Sequence, residues 1–212
     1  MSMLLSAFAL GAGLVGAIIL SLMHHSRLAP VRWLAAAWVW VVRAIPLLVQ
    51  LVLVHHVVGG GRVPFIDTSV LGSALIALTA YSSVYLGDVL QAAVRAVPQQ
   101  LIDADRVLGA SRSQVHRLTT LPWALRTARP GFVTQMVTVF KDSSVVVVLG
   151  IADLTTNARI ALGSDVGNAP YWVSLYLLVG ALYFVVAWGI ARLAGTARLR
   201  PGDEHFEPSA AI

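Results

Sequence analysis

Charged side chains that could carry out chemistry are few, and most of them lie in one stretch of the chain. Six arginines and two aspartates fall between Arg95 and Arg129, although only 12% of all residues are charged. The one lysine, Lys141, follows Phe140, so the Gly-Lys-Ser/Thr core of a nucleotide-binding P-loop is missing. These side chains can form ion pairs and polar contacts, but they do not form a catalytic set.

The histidines give no metal-binding pattern either. They include two adjacent pairs, His24 with His25 and His55 with His56, and adjacent residues point to different sides of a helix. No carboxylate stands at metal-ligand spacing from them, and the chain has no cysteine. We therefore expect interfacial histidines, no metal, no cofactor bound by this chain, and no enzymatic activity.

The composition indicates where these residues are held. With 58% hydrophobic residues and a mean hydropathy of +0.78, the chain is far more apolar than a soluble domain. The sequence predicts an all-α integral membrane protein in contact with the lipid bilayer. The net charge of +5 does not indicate nucleic-acid binding, because the arginines lie between apolar segments, where they orient a membrane protein.

Five apolar segments can cross a bilayer about 30 Å thick. The predicted transmembrane domain covers residues 1–195, and residues 196–212 are predicted to be a disordered cytoplasmic tail. The predicted spans are residues 3–23, 38–58, 70–90, 130–151 and 171–193.

Basic residues predict the orientation of these spans. Arg27 and Arg32 follow the first span, so the first loop is expected in the cytoplasm and the N-terminus outside. Five spans then place the C-terminus and residues 95–122 in the cytoplasm. The glycine-rich turn at 59–64 and the polar segment 153–170 are expected outside, the second with a short helix.

The fourth predicted span carries charge near its middle. On a helix, Gln135, Thr138 and Asp142 share one face, and Lys141 and Ser144 lie on an adjoining one. Charge at this depth is costly in lipid, so this side is expected to face protein or a water-filled path.

Local signals divide the cytoplasmic stretch into two helices. We expect a helix over about 101–108, a break at Gly109, and a second helix that begins at a Ser111 or Ser113 cap. The residues alone leave two alternatives open: docking into the groove of a soluble partner, or binding to lipid headgroups.

This stretch also resembles the signature of the ABC importer permeases. That family carries Glu-Ala-Ala, three residues, Gly, nine residues, then a hydrophobic residue, any residue and Leu-Pro. The register is kept here from Asp103, Ala104 and Asp105 through Gly109 to Leu121-Pro122. RAIPLLVQ (43–50), PWALR (122–126) and KDSSVVVVLGIADLT (141–155) are similar to segments of its polar amino acid branch.

Several positions depart from the pattern of that family, among them Thr134, which stands where Asn is common. Asp103 replaces its Glu, Asp105 replaces its second Ala, and Gln91 stands where an Arg is expected. Arg106 and Arg112 are close enough in sequence to offset the added charge of Asp105.

The resemblance implies a bacterial inner-membrane, multi-pass permease subunit that takes up a polar or charged amino acid by alternating access. It also implies several partners: an identical or homologous second permease, an extracytoplasmic amino-acid-binding protein, and two cytoplasmic ATPases that bind ATP and Mg. A coupling helix would contact the ATPase through Asp103, Ala104, Asp105, Arg106, Leu108, Gly109, Leu121 and Pro122.

A translocation route is a further hypothesis. The alternative for its charged residues is a structural pair that joins the fourth span to spans two or three. The candidate residues are Gln135, Thr138, Lys141, Asp142, Ser143, Ser144, Asp88, Arg43 and Gln50.

Two other functions stay open at this point. One is an ABC permease for methionine, an opine or an osmolyte. The other is a non-transporting membrane scaffold or a membrane enzyme, for which the sequence offers no catalytic constellation.

Overall fold

The computed structural model describes residues 2–59, 69–164 and 166–195. Within these residues every regular element is helical, which confirms the all-α prediction. The predictions for most of the 59–64 turn and for the tail at 196–212 lie outside the described residues.

Ten α-helices follow one another along the described chain, with short π and 3₁₀ segments between some of them. The α-helices are α1 (Ser2–His24), α2 (Ala29–Ala44), α3 (Leu47–Val58), α4 (Val70–Arg95), α5 (Gln99–Val107), α6 (Arg112–Val115), α7 (Leu121–Thr127), α8 (Arg129–Asp142), α9 (Leu154–Gly163) and α10 (Trp172–Gly195). A π-helical segment covers His116–Thr120, and 3₁₀ segments cover Ser143–Leu149 and Val166–Tyr171.

Four stretches of the described chain are long and apolar enough to cross a membrane. They are Met3–His24, Val70–Arg95, Arg129–Leu149 and Trp172–Leu193, and the bent pair of α2 and α3 can supply a fifth crossing. These stretches correspond to the five predicted spans. The chain is thus a multi-pass membrane protein.

The second predicted span is not one helix, so the expectation of a continuous helix over 38–58 is wrong. The helix begins earlier, at Ala29, and α2 and α3 meet at an angle of 111°. Pro46 has no backbone N–H to continue the helix and disfavours helical backbone in Ile45, which is extended at φ −99° and ψ 125°. Local chemistry explains the break, but the angle depends on packing against the rest of the protein.

Helices α1 and α4 lie so close together that small residues are required. A Cβ atom added to Gly13 would lie 2.6 Å from the Cβ of Ser82, and one added to Gly16 would lie 2.7 Å from the Cβ of Ser83. Such close approach is how helices associate in lipid, where packing replaces the hydrophobic effect. The α1–α4 pair is therefore the centre of the bundle.

The outer helices leave wide apolar surfaces uncovered. Helix α10 is almost entirely exposed along its apolar length, as are Trp33 and Trp40 on α2. Such surfaces would be aggregation-prone in water but are suited to contact with lipid or another membrane subunit. The core is built around α4, in which Leu78 and Leu90 are fully buried.

Candidate functional site

Helix α5 ends in a Schellman motif centred on Gly109. The N–H of Ala110 donates to the carbonyl of Asp105 (3.0 Å), and the N–H of Gly109 donates to the carbonyl of Arg106 (2.9 Å). Gly109 has φ +83°, a left-handed conformation that glycine adopts without the steric cost of a Cβ. The predicted helix and its break at Gly109 are confirmed.

The next helix restarts immediately through a capping box at Ser111. Its hydroxyl accepts a hydrogen bond from the N–H of Gln114, and the Gln114 side chain accepts one from the N–H of Ser111 (2.8 Å). Of the two predicted caps, Ser111 is the one used. The chain then passes through the π-helical segment into α7, where Leu121 and Pro122 occupy the first turn.

The C-terminal end of α5 exposes apolar side chains. Val107 and Leu108 are 87% and 85% exposed, and Leu118 on the π-helical segment is 74% exposed. Because the Schellman motif fixes the backbone beside them, this surface is rigid rather than a loose loop. It is suited to insertion into a preformed groove.

Of the two aspartates of α5, Asp103 pairs within the helix and Asp105 does not. Asp103 accepts a hydrogen bond from the Gln99 amide (3.1 Å) and lies 3.9 Å from the Arg106 guanidinium. Asp105 has no ion pair in the described chain, so neither Arg106 nor Arg112 neutralises it by direct contact. One carboxylate oxygen of Asp105 is buried without a hydrogen-bond partner. Ala104 is exposed beside them.

Two of the predicted pathway residues serve the broken second span. Arg43 on α2 forms an ion pair with Asp88 on α4. Gln50 is buried on α3, and its amide donates to the carbonyls of Val42 and Ile45, which the break leaves free. Gln50 therefore satisfies the backbone around Pro46.

Lys141 and Asp142, the adjacent charged residues of the fourth span, lie in different environments. The Tyr81 hydroxyl on α4 donates to the carboxylate of Asp142 (3.1 Å), so Asp142 connects α8 to α4. Lys141 is exposed and has no ion pair within the described residues. The structural alternative fits Asp142, whereas Lys141 remains available to a ligand or to another subunit.

The other polar residues of this span bond to their own helix. Thr138 donates to the carbonyl of Thr134 (3.1 Å), Ser143 to that of Phe140 (2.7 Å), and Ser144 to that of Lys141 (2.8 Å). In each of these bonds the hydroxyl group donates to a carbonyl three or four residues earlier in the chain. The Nε2 atom of Gln135 is buried without a partner in the described protein.

Two further polar groupings were not anticipated from the sequence. Asp153 caps α9 through the N–H and hydroxyl of Thr156 and also accepts from the Tyr183 hydroxyl of α10 (2.9 Å). The cap precedes the short helix expected within 153–170 and could have been found from its sequence. The link to Tyr183 spans 30 residues and carries no local signal.

The second grouping lies where α1 meets the π-helical segment. The rings of His25 and His116 stack with centroids 4.2 Å apart. His116 is 8% exposed, and desolvation by burial, then His25 and Arg117, lower its pKa to about 4. At neutral pH this imidazole is uncharged.

The apolar helices pack around the close pair α1 and α4, and Lys141 is exposed on one span. Together with the helix–glycine–helix segment, they define a multi-pass membrane subunit. The chain belongs to the family of inner membrane components of binding-protein-dependent transport systems, whose model matches residues 9–197. Members of this family form the permease part of ABC importers and are not catalytic, because ATP hydrolysis is carried out by a separate subunit.

Characterised relatives and solved structures agree with this family. The chain is 30% identical over 194 residues to the glutamate/aspartate import permease protein GltK of Escherichia coli, covering 89% of this chain and 84% of the relative. It is 27% identical over 175 residues to the arginine transport system permease protein ArtQ of Bacillus subtilis, covering 82% and 77%.

Among solved structures, an amino acid ABC transporter with histidines superposes with a TM-score of 0.80 at 26% identity, covering 92% of this chain and 88% of the other. The MetNI methionine transporter in an inward-facing conformation superposes at 0.67 with 21% identity, covering 94% and 92%, which indicates a shared fold.

Proposed function

We propose that this chain is the permease subunit of an importer for a polar or charged amino acid. The similarity to permeases named for glutamate, aspartate and arginine supports this substrate class. Transport would proceed by alternating access in a bacterial inner membrane, with the N-terminus outside and the C-terminus in the cytoplasm.

The observation that carries the coupling role is the exposed apolar end of α5. Val107 and Leu108 project beside a glycine whose backbone is fixed by two hydrogen bonds. A rigid apolar end is the shape that enters a groove with little ordering cost. We assign this groove to an ATPase subunit that binds ATP and Mg, and α5 is then the coupling helix. Asp103, Arg106, Leu121 and Pro122 would border the contact.

A second permease subunit would cover the face of α8 on which Lys141 is exposed. Lys141 lies on this face without an ion pair in the described protein, and a substrate carboxylate is a chemically matched partner for an ammonium group. Asp142, fixed by Tyr81, would then shape the route rather than bind the substrate. An extracytoplasmic binding protein would deliver the amino acid.

A reconstitution experiment tests this function. The chain is co-expressed with its cognate ATPase and binding protein, placed in liposomes, and assayed for ATP-dependent uptake of labelled glutamate, arginine, histidine, methionine and nopaline. We expect accumulation of an amino acid with a charged or polar side chain. Uptake of methionine alone would contradict the substrate class, and failure of any ATPase to co-purify would contradict the permease role.

A further inference from the structure

A cavity of about 760 Å³ opens between the α1–α2 turn and helix α6 with the start of the π-helical segment. Its walls carry four arginines from two separate parts of the chain, two from each. The basic lining consists of Arg27, Arg32, Arg112, Arg117, His25 and His116. No aspartate or glutamate lines it. We call it the arginine cavity.

The charges of this cavity are not neutralised within the described protein. None of the four arginines forms an ion pair there, since the two ion pairs formed use Arg43 and Arg106. Like charges held around one space repel each other, so the arrangement is unfavourable until an anion occupies it. The positive-inside rule would explain why arginines are present in these loops, but it would not explain why four of them line one cavity.

One of the arginines is fixed in place. Arg32 donates from its guanidinium to the carbonyls of Ser26 (3.1 Å) and Arg27 (3.3 Å), which folds it over the α1–α2 turn. The stacked rings of His25 and His116 belong to residues that line the cavity. His116 is more than nine-tenths buried, and its Nε2 has no hydrogen-bond partner in the described protein. A residue that lines the cavity therefore carries an unpartnered polar atom, and one of the four arginines is held in place by hydrogen bonds.

Phosphate is the anion that this arrangement suits. Guanidinium groups bind phosphate oxygens through pairs of parallel hydrogen bonds, and several around one space can bind several oxygens at once. A single carboxylate would leave most of these donors unused.

The surroundings indicate that the phosphate belongs to a lipid. The cavity adjoins the end of the membrane-length α1. Leu28 in the α1–α2 turn (64%) and Trp33 (77%) and Leu34 (65%) at the start of α2 are exposed. Exposed tryptophan beside arginine is typical of the headgroup layer of a membrane. A soluble partner would have no need of these apolar side chains.

We propose that the arginine cavity binds the phosphate of an anionic phospholipid headgroup, in the inner leaflet of the membrane. Only the choice of leaflet rests on the topology proposed above. The site is independent of the transported substrate, and it ties the α1–α2 turn to the segment that follows α5.

Lipid binding by the purified chain tests this site without an uptake assay. The full-length chain in neutral detergent is titrated with phosphatidylglycerol, phosphatidylcholine or inorganic phosphate. Thermal midpoints and the number of lipids retained in native mass spectrometry are measured. We expect phosphatidylglycerol to raise the midpoint and to be retained, and phosphatidylcholine to do neither.

The main variant is Arg112→Gln/Arg117→Gln, since neither side chain has a hydrogen bond or ion pair within the described residues. Removing two cations should weaken apparent phosphatidylglycerol affinity about thirtyfold. Arg27→Gln, on the opposite wall, should weaken it as well. The matched control, Arg126→Gln/Arg129→Gln, removes the same charge from exposed arginines outside the cavity and should bind as the wild type does.

Three results would count against the proposal. Equal loss of binding in the control pair, or equal retention of both lipids, would overturn the site. Stabilisation by inorganic phosphate without lipid retention would support a phosphate site and overturn its assignment to a lipid. A transport-inactive chain that still binds phosphatidylglycerol would refute only the proposed function.

Discussion

The hydroxyl of Tyr81 donates a 3.1 Å hydrogen bond to the carboxylate of Asp142, and this contact joins the two spans that carry most of the polar groups. Because of this contact, the adjacent residues Lys141 and Asp142 have different roles. Asp142 is bonded inside the bundle, while Lys141 faces outward. The pair should therefore respond differently to substitution.

Replacing Tyr81 tests the structural role of Asp142. Tyr81→Phe removes the donor but keeps the ring, so Asp142 loses a charge-assisted hydrogen bond worth about 1–3 kcal/mol. We expect a lower thermal midpoint of the purified chain. Tyr176→Phe on α10 is the matched control, because its partly exposed hydroxyl makes no described hydrogen bond, and it should leave the midpoint unchanged. Equal midpoints for both variants and the wild type would show that the contact contributes nothing.

Replacing Lys141 tests whether this residue takes part in transport. Lys141→Met keeps most of the side-chain length and removes the cation, so we expect normal membrane assembly with uptake reduced about tenfold or more. This loss corresponds to a charge-assisted contact of about 1.5–3 kcal/mol. Lys141→Arg keeps the charge and should retain more uptake. Full uptake by the Met variant would exclude Lys141 from the route.

Gly109 offers a test of the coupling segment. Gly109→Val should leave insertion intact but release or uncouple the ATPase, because valine is strained at φ +83° even though no atom lies within 4 Å to clash with it. Gly109→Asn is the control, since asparagine tolerates this conformation better. ATPase retention and uptake are measured together. Wild-type values for the valine variant would refute the role of this turn.

The lowered pKa of His116 predicts a stability that depends on pH. Between the ordinary value of about 6.5 and the folded value of about 4, the unfolded chain binds more protons than the folded one. Stability is therefore full above about pH 6.5 and falls as the pH drops toward 4. His25 stacks on His116, and His25 and Arg117 both contribute to its lowered pKa. The other titratable side chains that line the same cavity are Arg27, Arg32 and Arg112.

A variant that cannot titrate isolates this effect. His116→Phe keeps an aromatic ring against His25, so its thermal midpoint should fall less than that of the wild type between about pH 7 and about pH 5. His56→Phe, an exposed histidine on α3, serves as the control and should behave as the wild type does. If the thermal midpoints of His116→Phe and the wild type fall equally as the pH is lowered, the pH dependence does not come from His116.

Local signals made part of this structure predictable from the sequence. A glycine after a polar helix was enough to locate the break at Gly109, and the serines after it limited the cap to Ser111 or Ser113, because both features depend on residues within one turn. The capping box with Gln114 selects Ser111. Apolar segment length likewise indicated where the spans lie, but it did not show that the second begins at Ala29 and is broken before Leu47.

Contacts between distant segments were not predictable in the same way. Tyr81 and Asp142 are 61 residues apart, and His25 and His116 meet only after α1 and the π-helical segment have packed. Pro46 signalled an interruption, yet the 111° bend and the use of Gln50 to satisfy the freed carbonyls depend on the surrounding helices. Packing, rather than sequence spacing, decides these positions.

The glycines that bring α1 against α4 also limit how the protein can change shape. There is no room for even a methyl group between Gly13 and Ser82, so sliding one helix past the other would force their backbones apart. The two helices must then travel as one rigid body. Any opening and closing of the protein has to be carried by the parts around them, and the break at Ile45–Pro46 supplies a natural hinge.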